Sequence, residues 1–387
     1  MRSVYLDNNA TTRMDPLVLA AMLPTFGEQF GNAASTQHEF GRAAADLVED
    51  ARSVIAREVG ARRQDICFTS GATESNNLAI TGVLARSASA GLVTSPTEHK
   101  SVLDTAAHAR RAGHPIAFVR LDALGVVDLD SLRQALGDET VLVSIMIANN
   151  EIGTLAPIAE VAEICKQQKV LLHCDATQAL GRVPIDMSSL GIDLLSVSAH
   201  KLYGPKGVGA LVVSRGVELE PLMHGGGHER GRRSGTLNVP GCVGFATACR
   251  IARARFDEDR AHCNLLRDRL FNLLRTDIPD LRLNGHPDAR LAGNLNVCIP
   301  GCDADDLMLA MPDVAISSGS ACTSASPEPS HVLRAIGLSY EDARSSIRLG
   351  VGRFTTLDEV EFAASRITET VHAFRGSVSR LLPVGTT

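Results

Sequence analysis

Tryptophan is absent from the chain, tyrosine occurs three times, and aromatic residues make up only 4% of 387. Single-stranded nucleic-acid surfaces depend on aromatic stacking platforms, so that class of function has little to build on. Positive charge is also short. Lys and Arg number 38 against 44 Asp and Glu, for a net charge of −6. Such a balance gives no overall field that draws in phosphate backbones or acidic lipid. Arg232 and Arg233 are too local to reverse it. The most apolar stretch, Val141 to Ala148, is interrupted by Ser144. It falls far short of the ~20 residues a membrane-spanning helix needs. The opening residues MRSVYLDNN have no apolar core of the signal-peptide kind. The nine cysteines are odd in number and irregularly spaced. Without an export signal they read as reduced thiols. The expectation is a cytoplasmic protein that contacts neither nucleic acid directly nor membrane.

What is present is an ordinary globular composition, 44% hydrophobic and 21% charged. The length suits roughly two to three domains, and no repeat or low-complexity tract divides it. Through about residue 255 helical and strand patterns alternate, which predicts a mostly parallel sheet covered by helices. Phe40, Ala44, Leu47, Val48, Ala51, Val54 and Ile55 follow helical spacing, with Gly60 as a stop. Buried-strand candidates are Ile66–Phe68, Gly91–Thr94, Val141–Ile147, Val170–His173, Asp193–Val197 and Gly207–Val213. A long helical stretch near 241–275 leads into a different region with a strand at Asn294–Ile299, a Gly/Ser-rich loop at 317–326 and a last helix after Leu357. The expected organisation is a large domain over 13–255 and a smaller α+β domain over 256–387, on which residues 1–12 pack.

Ligands of open parallel sheets bind beyond the carboxyl ends of the strands. Five apolar runs here end in polar groups: Ser70-Gly71-Ala72-Thr73, Glu98-His99, Asn149-Asn150-Glu151, Asp175-Ala176-Thr177-Gln178 and Ser198-Ala199-His200-Lys201. On one side of one sheet they would form a polar crevice. Gly71-Ala72-Thr73 would open a helix, where free N–H groups favour an anion. The dipole contributes only about 0.3–1 kcal/mol, so hydroxyls such as Thr73 and Ser198 must help. Read alone, the segment could equally be a helix cap. Lys201 would enter a desolvated site that disfavours its charged form, leaving an amine able to form a Schiff base with a carbonyl. A lone lysine at a strand end is more often a surface residue. Asp175 would be a buried carboxylate in need of a cation. A salt bridge would serve, and so would the protonated pyridine nitrogen of pyridoxal phosphate (PLP). Lys, Asp and a phosphate loop together favour PLP.

At this point the chain resembles the cysteine desulfurases of the NifS/IscS type, within the fold type I PLP enzymes. The resemblance rests on YLDNNATT at 5–12, SGATES at 70–75, TEHK at 97–100, NNEIG at 149–153, DATQ at 175–178, SAHKLYGPKG at 198–207, GGGHERGRRSGT at 225–236 and SSGSACTSAS at 317–326. It implies an α/β fold with a mostly parallel seven-stranded sheet. Lys201 is then the lysine that carries PLP and shuttles protons, and Asp175 is the partner of the pyridine nitrogen. Gln178 is similar to a donor to the cofactor's phenolic oxygen. His99 resembles an imidazole stacked on the cofactor and moving protons. Ala72, Thr73, Ser198 and His200 match phosphate-binding positions. Thr236 matches a phosphate contact supplied by a second subunit, which implies a homodimer. Asn150 and Arg348 resemble residues near the substrate carboxylate, where a planar guanidinium suits bidentate binding. Cys322 resembles the thiol that takes sulfur from L-cysteine and leaves L-alanine. It can also serve as a transient ligand to a [2Fe-2S] cluster shared with a scaffold. Sulfur would go to iron–sulfur assembly, nitrogenase maturation included, or to tRNA thiolation.

Other signals count for less. His224 and His228 have zinc-like spacing, but Gly225-Gly226-Gly227 makes a poor helix. Cys298 and Cys302 lack a second pair. An aminotransferase of the same fold has no use for the Cys322 loop. A selenocysteine lyase differs by its product, selenide in place of sulfane sulfur. A non-catalytic module that only docks scaffolds would not need Lys201, Asp175, His99 and Cys322 together.

Overall fold

The computed structural model describes residues 3–318 and 328–381. The helical spacing at 39–59 becomes the helix Glu39–Glu58, whose first turn is capped by the His38 ring accepting from Gly41 N–H at 3.1 Å. Ala44, Val48, Ala51 and Ile55 are buried along one face, which packs on the helix Val239–Ala254. Phe40 departs from this stripe. It lies in the first turn, 58% exposed, with its ring 5.6 Å from that of Phe30.

The strands in chain order are β1 (Val4–Tyr5), β2 (Ile66–Thr69), β3 (Gly91–Thr94), β4 (Ile116–Phe118), β5 (Thr140–Ser144), β6 (Leu171–Asp175), β7 (Leu194–Ser198), β8 (Gly209–Val213), β9 (Arg282–Leu283), β10 (Asn294–Cys298), β11 (Val314–Ala315), β12 (Ser317–Ser318) and β13 (Ser346–Gly350). The main sheet has seven strands in the order β2-β8-β7-β6-β5-β3-β4. Only β8 runs against the others. The continuous apolar runs reflect burial on both faces, complete along β2, β3, β7 and β8. β4 has no such signal because its three edge residues are half-buried or exposed.

The helical pattern at 241–275 is two helices, Val239–Ala254 and Phe256–Asp277, rather than one. Arg255 breaks it at φ −107°, ψ 9°, and turns its guanidinium forward to Glu258 and Asp259. The second helix and the last, Leu357–Leu381, pack beside the antiparallel sheet β12-β13-β10-β9. Their shared core includes Leu266, Leu270, Val297, Ile347 and Ile367. Val4 and Leu6 join that core, and β1 pairs in parallel with β11. The chain then crosses to the main sheet. Thr12 N–H and Oγ donate to the His200 carbonyl, and Asp15 N–H donates to that of Tyr203.

One close approach sets the sheet's ligand-facing end. A Cβ at Gly209 would lie 2.5 Å from the Val197 carbonyl oxygen and 2.7 Å from Gly71 Cα. Backbone cannot yield as a flexible side chain does. Gly209→Ala is therefore expected to destabilise the fold by about 1–3 kcal/mol, checked by urea unfolding against wild type.

Candidate active site

The ends of β2, β3, β5, β6 and β7 converge on one cavity of about 550 Å³, lined by Gly71, His99, Asn150, Asp175, Ser198 and Lys201 among others. Because β8 is reversed, the loop before it faces the same way, and Lys206 and Gly207 join the lining. Asn9, Ala10 and Thr11 close the remaining side. Not every polar strand ending points in. Glu98, Asn149 and Glu151 are buried supports. Asn149 Oδ1 accepts from the N–H groups of Glu151 and Ile152 at 2.8 and 3.0 Å, and Glu98 Oε1 accepts from Met146 N–H at 2.8 Å. These bonds shape the turns that leave His99 and Asn150 facing the cavity.

At one end Gly71, at φ +150°, starts the helix Ala72–Leu84 with no side-chain cap. The first N–H groups of a helix have no internal partner, so Ala72 and Thr73 open this helix toward the cavity ready for an anion. Ser198 Oγ stands 3.8 Å from where a Gly71 Cβ would be. The His200 ring reaches Thr11 Oγ at 3.1 Å. Burial, with Lys201, Lys206 and Arg182 nearby, pushes it down to about 4, so it is neutral near pH 7. Glu74 fastens this corner by accepting from Ser70 N–H at 2.7 Å and from Arg233 Nε at 2.9 Å.

Lys201 sits on the short turn after β7 and donates from Nζ to the carbonyls of Asn9 and Ala10, each at 2.6 Å. Gln178 Nε2 donates to the Asn9 carbonyl at 2.8 Å, while Arg182 donates to Gln178 Oε1 at 3.0 Å. Asp175 is 5% exposed. It accepts from Thr177 N–H at 2.8 Å and from Asn76 Nδ2 at 2.7 Å. No Lys, Arg or His forms an ion pair with it among the described residues. His99 caps the next helix, and burial lowers its imidazole below the ordinary value despite Asp175. Arg348 crosses from β13. Its Nη2 pairs with Asp7 at 2.8 Å, its Nη1 donates to the Asn150 carbonyl at 3.2 Å, and its buried Nε has no partner among the described residues.

All but two of the residues expected at the site line this cavity. Thr236 is exposed and outside the lining. Cys322 lies outside the described residues. The other eight cysteines are free, and all but half-buried Cys263 are buried. Burial pushes Cys67, Cys165 and Cys242 up to about 12 and Cys263 to about 11. Among the described residues no cluster of His, Cys, Asp or Glu is placed to hold a metal, and no helix is long and apolar enough to cross a membrane. Sequence reasoning overlooked Asn76 and Ser101. Asn76 was visible as a polar residue on the apolar stripe of Ala79, Ile80 and Val83.

The aminotransferase class-V profile matches residues 4–362. The chain belongs to that family. It is 46% identical over 376 residues to a protein of Rickettsia rickettsii named cysteine desulfurase IscS, covering 96% of this chain and 92% of the relative. A solved "NIFS-like protein" superposes with a TM-score of 0.90 at 37% identity, covering 96% of this chain and all, 100%, of that one. A structure described as "SspA in complex with cysteine" gives 0.81 at 34% identity, covering 92% and 100% respectively.

Within this family member Glu151 has a pH consequence. Burial pushes its carboxyl from 4.5 up to about 7, only partly relieved by Ser330, Arg348 and Lys100. A raised carboxyl means that folding favours the protonated form. Its contribution is complete below the unfolded value and is lost as pH rises through about 7. Glu151→Gln removes that dependence. Relative to the variant, wild type is expected to lose on the order of 2 kcal/mol between about pH 5 and about pH 8, measured by denaturant unfolding at both.

Proposed function

We propose that this chain is a PLP-dependent cysteine desulfurase that converts L-cysteine to L-alanine and leaves the sulfur as a persulfide on Cys322. The observation that carries the reading is the single cavity holding the Lys201 amine, the Asp175 carboxylate, His99 and the open start of a helix. These residues fit PLP. Asp175 is a buried carboxylate with neutral donors only, which suits a protonated ring nitrogen. The uncapped turn at Gly71 with Thr73, Ser198 and His200 suits a phosphate. When bound, the cofactor supplies an electron sink for charge developing on the substrate.

The chain's own groups then have distinct tasks. Lys201 Nζ would hold the cofactor and, once released, move a proton at the substrate's α-carbon. Arg348, fixed by Asp7, and Asn150 would orient the substrate carboxylate. Cys322 Sγ would bond to the substrate sulfur as the carbon–sulfur bond breaks. L-cysteine and the thiol become L-alanine and the persulfide with every atom accounted for. Burial raises the thiols of the eight described cysteines, which disfavours their thiolates and supports Cys322 as the acceptor.

Thr236 supports a homodimer. It is exposed, away from its own chain's cavity, as a residue lent to a second copy would be. We place the enzyme in the cytoplasm and pass its sulfur to an iron–sulfur scaffold or another acceptor protein. Nitrogenase maturation and tRNA thiolation are included as destinations, and Cys322 can hold a [2Fe-2S] cluster transiently during transfer.

The test supplies L-cysteine to wild type, Cys322→Ala and Lys201→Ala, with alanine assayed under reducing turnover and protein-bound persulfide assayed without reductant. Wild type is expected to make both. Cys322→Ala should form no persulfide, with alanine production down at least ~100-fold, and Lys201→Ala should lose comparable activity. A wild type that binds PLP but makes no alanine would sink the substrate assignment.

A further inference from the structure

His99 caps the helix Lys100–Arg111, and its Nδ1 accepts from Ser101 N–H at 3.1 Å. The same nitrogen lies 2.8 Å from Ser101 Oγ. Ser101 Oγ receives Asn76 Nδ2 at 2.9 Å, and that amide also donates to Asp175 Oδ2 at 2.7 Å. Asn76 is 0% exposed, Ser101 7% and Asp175 5%, so water does not substitute for these partners.

The direction of each bond follows from one end. An ionised carboxylate only accepts. Asn76 must therefore turn its NH2 toward Asp175, because the reverse sets oxygen against oxygen. The second amide proton occupies a lone pair of Ser101 Oγ, which directs the hydroxyl proton at His99 Nδ1. Ser101 N–H, fixed by the backbone, points at the same atom. Nδ1 thus accepts twice, and the ring proton belongs on Nε2.

We propose that Asn76 and Ser101 are positioning residues that hold His99 as a neutral, Nε2-protonated imidazole beside the reacting groups. The inference rests on reading the cavity as the PLP site. Charging the ring would place a proton on Nδ1. That requires turning the Ser101 hydroxyl and leaving its N–H without an acceptor. Other surroundings divide. Burial disfavours the charged ring most, and Lys201 opposes it too. Asp175 from β6 and Asp104 on the ring's own helix favour it. A proton held at one known atom suits a group that moves protons, since no tautomer change precedes each transfer.

The test is imidazole-nitrogen NMR on holoenzyme carrying labelled histidine, with His99→Gln to assign the signal. In wild type Nδ1 is expected to be unprotonated through neutral pH, with a titration midpoint below that of ordinary histidine. Ser101→Ala removes one donor to Nδ1, so the midpoint should rise by about one pH unit and the second tautomer should appear. Ser101→Thr, which keeps the hydroxyl, should restore both. An unchanged midpoint and tautomer in folded, PLP-loaded Ser101→Ala would overturn the proposal. So would a wild-type proton on Nδ1, which decides the matter even if Ser101→Ala does not fold. A protein with the Nε2 tautomer that takes up no PLP would remove the cofactor reading and leave the hydrogen-bonded chain standing.

Discussion

A carboxylate buried at the end of β6, given only neutral donors, sets the terms for everything around it. Asp175 receives an amide and a backbone N–H but no cation among the described residues. A buried charge left so is costly unless a ligand brings the opposite charge. The fold tolerates this because parallel strands place Asp175 in a cavity at the edge of a large core rather than within it. Along the same strand the chain avoids adding a second charge. His173 is fully buried between Ser144 and Ser196, and burial pushes it down to about 4. His200, in the lining of the same cavity, is likewise kept uncharged near pH 7. The acidic and basic side chains lining the cavity are Glu74, Asp175, Lys201, Lys206 and Arg348.

The opening segment of the chain joins the two parts of that arrangement. Asp7 pairs with Arg348 on β13, the carbonyls of Asn9 and Ala10 receive Lys201, Thr12 receives Tyr203 N–H, and Asp15 pairs with Arg353. Arg353 also pairs with Asp259, and its guanidinium lies 4.3 Å from the centre of the Tyr203 ring. Tyr203 has φ +61°, a costly backbone for a tyrosine. It stands two residues after Lys201. The contacts that hold it therefore also fix the turn carrying Lys201.

Much of the main sheet was legible because strands buried on both faces must be apolar throughout. β4 was not, since three half-buried or exposed edge residues carry no such pattern. The reversal of β8 was equally hidden, because a buried strand reads the same in either direction. The polar endings located the cavity, yet sequence could not say that Glu98 turns into the protein interior while His99 faces the cavity. That choice is made by a backbone N–H of Met146, nearly fifty positions away. The contribution of Asn9 to Thr11 depends on pairing across the whole chain. Asn76 had a signal of its own, an amide on an apolar helical stripe, where an unexplained polar residue marks a partner.

The partner, once found, changes how the site works. With Asn76 as a fixed donor, Asp175 and His99 are not independent groups that happen to flank a ligand. The carboxylate sets the amide, the amide sets the hydroxyl, and the hydroxyl and a backbone N–H set the ring. The information runs one way, from the group that cannot donate to the group that must. Asn76 donates to one oxygen of the carboxylate and Thr177 N–H to the other. Both oxygens thus keep their orientation without a cation, and a cationic ligand would meet a carboxylate already aimed. Preorganisation of this kind costs the fold a buried amide oxygen without a partner, at Asn76 Oδ1. Asn9 Oδ1, Thr177 Oγ and Arg348 Nε around the same cavity also lack partners among the described residues, as a site selected for ligand geometry over maximal stability should show.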